Sequence, residues 1–487
     1  MNYRKICLFV AVIAFASTPF MVHADYQIEP NPNYGTITVD TSDAYNDADF
    51  SNYGYIAIFY DGTLNNNSGG MLNINSGGRL DNSGLLNNSG TLNILGVGGP
   101  YNFSGSLYNS GQLNNSGTLN LLNTGGGIYG GQLNNSGQLN NSGTLNILGN
   151  GNGYYGGSLG NSGALNNSGT LNIFGGGGGY YGGELINSGS LNNCGTLNIL
   201  VGYRGGLLAN SGFLNNSGTL NLLGGEGVLG GSLGNSGTLN NYSGGMVNIN
   251  SGGVLVNSGL LNNSGTLNNS GVLANNSGTM NNPGTITGPG NYYQDAGLTI
   301  NNGSMTQASI DILGGGLSGN GTITGNVNIA TGAAVHPGNS PGTLTINGAF
   351  SSNGNLFFDI GGLAVGQYSL LKINGAASFT GGNIVFGFIN GFSASPGNYW
   401  DFLSADSITG WNTLSCFFTG SVTGLGYEFE TLTDGERLLI TTGTGLPLAP
   451  PVLVFPPVTP TIPLPSTLLL LGSGLLGLAG WRRLKKD

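Results

Sequence analysis

"QLNNSGQLNNSGTLNIL", Gln132 to Leu148, puts a leucine at every sixth position and fills the gaps with Asn, Ser and Gly. The pattern recurs on a long beat. Asn before Ser-Gly-Thr stands at Asn88, Asn115, Asn141 and Asn167, then at Asn193 with cysteine in place of the serine, and at Asn216, in steps of 27, 26, 26, 26 and 23. A second Asn-Ser-Gly lies six residues upstream of each, at Asn82, Asn109, Asn135, Asn161, Asn187 and Asn210. Such a period marks a stacked repeat. One unit reads as two short sides, "QLNNSG" twice, followed by a longer side, "TLNILGNGNGYYGG".

In "TLNI" leucine alternates with polar neighbours, the period of a strand with one buried face. Leu145 and Ile147 should point inward, Thr144 and Asn146 outward. Because Asn and Gly tolerate positive φ, Asn-Ser-Gly is expected to turn each corner. Each unit is then one coil, and coils stacked about 4.8 Å apart pair their strands, with leucine ladders inside and asparagine ladders at the corners. The fold class predicted is all-β: a parallel β-solenoid of about 26-residue coils with a β-rich C-terminal cap, plus one C-terminal transmembrane helix. About ten coils from Thr63 to Thr345 would make a rod roughly 50 Å long. Right-handed crossovers are the expected hand. The alternative, hairpins with Asn-Ser-Gly turns, leaves strands too short to be stable.

The segment boundaries follow from composition. Residues 1–24 read as a secretory signal: Arg4 and Lys5, an apolar run from Ile6 to Phe20, and small residues before a cut after Ala24. An N-terminal cap should occupy 25–61, the Asn/Gly/Leu-rich solenoid 62–345, and a β-rich cap or final coils 346–445. Eight prolines between Leu446 and Pro465 make 446–465 an extended linker. Residues 466–487 read as the membrane and sorting segment: with Ile462 and Leu464, the apolar stretch from Ser466 to Trp481 just reaches the ~17 residues that span a bilayer, and the basic end should stay cytoplasmic. The body then faces outward.

Net charge is −10, with basic residues concentrated at the two ends of the chain. A surface this acidic repels phosphate backbones, so nucleic acid is not an expected partner. Cys7 leaves with the signal, and Cys194 and Cys416 are too few for a disulfide framework.

Ile462-Pro463-Leu464-Pro465-Ser466, the "LLLLGSGLLGLAGW" segment and Arg482-Arg483 together resemble the PEP-CTERM sorting signal of Gram-negative bacteria, in its VPLPA-type variant. Leu464 stands where the commoner form has Glu. The resemblance implies recognition by an exosortase-type transpeptidase, a membrane-anchored precursor, and final residence at the cell surface or outside it, in bacteria that make exopolysaccharide. Sorting would rest on Pro463, Leu464, Pro465, Ser466, Arg482 and Arg483. The repeats, with "HPGNSPGTLTINGAF" (His336 to Phe350), the run from Gly366 to Phe392 and "GNYWDFL" (Gly397 to Leu403), are similar to passenger regions of autotransporters and filamentous adhesins. In those proteins such segments form the last coils and cap of a β-helix.

β-helices also include polysaccharide-processing enzymes, whose sites need clustered carboxylates. Between Thr63 and Gly290 the charged residues are Asp81, Glu184, Glu226, Arg79 and Arg204, too sparse for such a cluster. His336 reads as a turn residue with no nucleophile or orienting group nearby in sequence. Asp40, Asp43, Asp47 and Asp49 offer carboxylates for Ca²⁺, but their spacing fits no EF-hand, and a solvated cap is the plainer reading. Neither a catalytic residue nor a cofactor or metal is expected. Tyr129, Tyr155 and Tyr181 keep the 26-residue step and Tyr203 follows at 22. Their stacked row would either order the glycine-rich turns or serve as a platform for polysaccharide. The function expected is an exported, non-enzymatic, structural or adhesin-like surface or matrix protein; the alternative is a polysaccharide-binding or polysaccharide-processing β-helix.

Overall fold

A computed structural model describes residues 26–450 apart from 42, 97–103, 124–128, 150–154, 177–181, 203–204, 225–229 and 421–423. The expected signal peptide, most of the proline-rich linker and the expected C-terminal helix lie outside the described residues. Among the described residues, no helix is long and apolar enough to cross a membrane. The chain divides into two compact units, with the boundary between Leu255 and Val256. Between them they hold about 14 turns of parallel β-solenoid averaging about 23 residues each.

In unit 1 a coil has three sides. Gln132–Asn135, Gln138–Asn141 and Thr144–Ile147 form one coil, and Ser158–Asn161, Ala164–Asn167 and Thr170–Ile173 the next. Each strand pairs in parallel with its counterpart one coil on: Leu133 with Leu159, Leu139 with Leu165, Leu145 with Leu171. This parallel register rules out the hairpin arrangement. Every strand alternates outward and inward, so Leu133, Leu139, Leu145 and Ile147 are fully buried while Thr144 and Asn146 stay partly exposed. Fully burying a leucine is worth ~1.5–3 kcal/mol, and the inward columns repeat that gain on every side of every coil.

The second asparagine of each short side is also buried. From Asn82 the first-side column runs Asn109, Asn135, Asn161, Asn187, Asn210 and Asn235, each Nδ2 donating to the next Oδ1 at 2.6–2.7 Å. The other N–H of Asn135 reaches the Ala164 carbonyl at 3.0 Å, one coil on. A buried amide is costly unless paired; here stacking supplies the partners. The column starts at Asn82 because Ile58 lies in register before it, which leaves Asn82 Oδ1 without a donor.

The corners depart from the sequence-based expectation. Neither the corner asparagines nor glycines such as Gly137 and Gly163 adopt left-handed φ. Glycine is needed for closeness instead: a Cβ on Gly163 would come well inside 3.0 Å of the Gly137 carbonyl oxygen on the previous coil. Corner backbone stays paired, with the Ser136 and Gly137 amides both donating to the Asn109 carbonyl.

Coil length varies around the expected value of about 26 residues. The first described coils are shorter, with Thr36 in register with Tyr55 and Tyr55 with Arg79. In unit 2, Leu260 pairs with Thr279, Thr279 with Leu298, and Leu298 with Gly316, steps of 19, 19 and 18. Three sides of six or seven residues close a coil here, and the extra residues of unit 1 belong to the Gly/Tyr segment after its third side.

Parallel coiling does not stop at residue 345. Asn355–Ile360 pairs with Asn383–Phe388 and that strand with Ser415–Thr419, as these coils lengthen. Their core turns aromatic: Phe358 stacks on Phe386 at 5.7 Å and Phe386 on Phe418 at 5.6 Å. Strand Gly435–Thr442 then runs antiparallel to both Tyr399–Thr409 and Leu425–Leu432, which ends the parallel coiling.

Candidate functional site

Charge is gathered at one end of unit 1. Eight of its nine described charged side chains, Glu29, Asp40, Asp43, Asp47, Asp49, Asp61, Arg79 and Asp81, precede Asn82, and Glu184 is the ninth. Asp40 accepts from the Thr41 amide and Asp47 from Asn67 Nδ2. Among the described residues, no three His, Cys, Asp or Glu side chains gather where they could hold a metal ion.

Parallel pairing places Tyr55 beside Arg79, and Asp81 beside Tyr108. Arg79 grips Asp81 through Nε and Nη2, both at 2.7 Å, and its guanidinium sits 4.4 Å from the Tyr108 ring centre and 5.9 Å from that of Tyr55. Tyr55 Oη donates to the same carboxylate at 2.9 Å, which raises the phenol's pKa. In unit 2 Arg437 repeats the arrangement, bonding Asp401 at 2.6 and 3.2 Å with its guanidinium 4.2 Å from the Tyr399 ring centre. In both clusters the cation is held by its own carboxylate and an aromatic face. Sequence reading registered Arg79 and Asp81 only as sparse charges, because the tyrosines reach them from neighbouring coils.

Of the predicted aromatic row, Tyr129 and Tyr155 are described, while Tyr181 and Tyr203 lie outside the described residues. The two rings stack at 5.3 Å and 12°, each some 40–45% exposed, and Asn123 Nδ2 anchors the Tyr155 carbonyl at 3.0 Å. Stacked this way, the two rings cover one face of each other. A second pair, Tyr34 and Tyr53, stacks at 5.2 Å and 14° in the first coils, and Tyr34 is 73% exposed.

His336 is not the isolated turn residue expected. Its Nε2 lies 2.8 Å from Asp359 Oδ2, and Ser340 Oγ donates to that same oxygen. Asp359 arrives from the next coil, 23 residues on, which hid the pairing from a local reading. Burial pushes the Asp359 carboxyl up, but the hydrogen bonds from His336 and Ser340 and the imidazole's charge outweigh it and hold it below its ordinary value. The carboxylate thus sits at the centre of the trio, whereas in a Ser-His-Asp triad the imidazole does. Elsewhere in unit 2, burial pushes the Cys416 thiol up to about 12, so it stays a protonated, unreactive thiol.

These features define a parallel β-solenoid body whose polar groups are mostly spent on holding coils together. The chain carries a PEP-CTERM protein-sorting motif over residues 461–484, which contains Pro463, Leu464, Pro465, Ser466, Arg482 and Arg483. That motif marks a protein exported and sorted by way of a membrane-anchored precursor, with an exosortase as the partner that recognises it. No curated protein sequence matches the chain. Among solved structures, the chain is similar to a crystal structure of a TibC-catalyzed hyper-glycosylated TibA fragment: 19% identity, 66% of this chain and 99% of that chain covered, and a TM-score of 0.25.

Proposed function

We propose that the protein is a non-enzymatic, adhesin-like component of the bacterial surface or extracellular matrix, delivered through its C-terminal signal and displaying a β-solenoid body. The observation that carries this reading is the pairing of a sorting motif with a body whose buried asparagines and leucines serve stacking. Its charged clusters support the non-enzymatic part: Arg79 and Arg437 are each gripped by a carboxylate, and Ser340 and His336 share Asp359 in an order unsuited to nucleophilic attack. Fractionation of cells expressing the full chain, with and without Arg482→Ala and Arg483→Ala, tests it. Wild type should reach the outer surface or medium, and the variant should remain a membrane-bound precursor; wild type retained in the cytoplasm overturns the reading.

Extracellular polysaccharide is the partner this reading favours, and the motivating feature is exposed tyrosine. Tyr34 presents the largest exposed ring of the two stacked pairs, and apolar ring faces suit sugar rings. Glycan arrays probed with the full chain, beside Tyr34→Ala and Tyr155→Ala, test this. Absence of binding by wild type removes polysaccharide as a partner without touching the surface assignment.

A further inference from the structure

The outward columns of the three sides in unit 1 are not alike. On the first side Ser106, Gln132, Ser158, Glu184 and Leu207 succeed one another in register. On the second, Gln112, Gln138, Ala164, Ser190 and Phe213 do so, beside an asparagine column. Over six successive coils, between Met71 and Met246 in the same column, the third side alone keeps both columns constant: Thr91, Thr118, Thr144, Thr170, Thr196 and Thr219, each two residues from Asn93, Asn120, Asn146, Asn172, Asn198 and Asn221. Asparagine has a structural reason to stay, since each of these amides donates to the one before it at 2.8–2.9 Å. Threonine has no equivalent reason. Each side opens its strand with an outward residue, and the first two show that this position tolerates Ser, Gln, Glu, Ala, Leu or Phe.

We propose that this third side is an ice-binding face. Its threonines stand in ranks about 4.8 Å apart over about 24 Å, fixed by the coil and flanked by amides that are already locked to one another. A soluble glycan or a folded partner offers no matching regular ranks. Crystalline water does, because its oxygens repeat along the lattice at nearly this interval. Threonine suits the task better than serine would: the methyl group restricts the orientation of neighbouring water, while the hydroxyl and the adjacent amide hydrogen-bond it in place. No charged side chain stands in either column to hold a competing hydration shell. Since the ranks are rigid before contact, little conformational freedom is lost on adsorption. The inference rests on the surface reading, because only an outward-displayed face meets ice.

The test uses the full chain in lipid nanodiscs, measuring the fraction incorporated into a slowly growing ice front together with freezing hysteresis. A third-side variant carries Thr118→Tyr, Thr144→Tyr and Thr170→Tyr; a second-side control carries Gln112→Tyr, Gln138→Tyr and Ala164→Tyr. Both change outward positions, and circular dichroism checks that both keep the wild-type β spectrum. Wild type and control should enter the ice and produce hysteresis that grows with concentration, and the third-side variant should lose most of both. Wild type no more enriched in ice than empty nanodiscs overturns the proposal, as does a third-side variant that binds ice as wild type does. Self-association that the third-side variant abolishes, without ice binding, also overturns it and makes the face a contact between copies. None of these outcomes alters the fractionation result, so the two readings fail separately.

Discussion

Asn135 donates from Nδ2 to Asn161 Oδ1 at 2.7 Å, one coil away, and both side chains are only 1% exposed. This relationship, repeated coil after coil, lets a chain with 6% charged residues and 95 glycines keep a polar group inside its core. Replacing Asn161 by Ala strips Asn135 of its acceptor and Asn187 of its donor. The expected cost is ~1–3 kcal/mol for a buried group left unpaired, read as a lower denaturation midpoint. Asn166→Ala, in the half-exposed ladder, should cost clearly less, because water replaces the lost partner.

Gly163→Ala tests the corners. The added methyl meets the Gly137 carbonyl of the previous coil, and overpacking of this kind costs ~1–3 kcal/mol. Gly160→Ala is the contrast: its Cβ faces outward and meets only Asn134 Oδ1, at 3.2 Å. Urea denaturation of the two variants should separate them, with Gly160→Ala close to wild type.

Much of this was legible in the sequence. The alternation in "TLNI" assigned Leu145 and Ile147 to the core, the step between Asn135 and Asn161 gave the coil, and Ile462 to Ser466 with Arg482 and Arg483 pointed to the sorting motif. What was missed depends on the neighbouring coil. The shortening beyond Leu260 stayed hidden because the period was taken from the longest repeats, whose Gly/Tyr segments the later coils lack. The need for Gly163 lies in an oxygen 26 residues earlier, on Gly137. Likewise His336 finds Asp359, and Arg79 finds Tyr108, only once the chain has gone round.

Leu165→Ala should cost ~2–5 kcal/mol, the range for a leucine cut back to alanine in a packed core. Because Leu139 and Leu191 sit in register on either side, the cavity opens within a continuous column. Limited proteolysis should show new cleavage close to residue 165 before cleavage elsewhere.

The Asp359 carboxyl, held below its ordinary value of 3.8, makes unit 2 sensitive to acid. A folded pKa below the unfolded one gives stability that is complete above the unfolded value and is lost as pH falls through the folded one. Thermal midpoints of wild type and Asp359→Asn should therefore differ near neutral pH and converge as pH falls through the depressed folded-state pKa of Asp359. A constant difference down to the lowest pH would contradict this.

Cys416, with its thiol raised to about 12 by burial, should resist iodoacetamide at pH 8 in the folded protein and react once the chain is unfolded. Mass spectrometry of the peptide containing Cys416 reads both states.

Ser83 Oγ and Ser110 Oγ lie 3.2 Å apart on successive coils, and strands stacked at about 4.8 Å lie within the Cα separation a disulfide spans. Ser83→Cys with Ser110→Cys should form a disulfide on mild oxidation, seen as a linked peptide by mass spectrometry. Ser83→Cys with Ser136→Cys, two coils apart, should not. Cross-linking of the second pair as readily as the first, or of neither, would contradict the stacked parallel register on which every other conclusion depends.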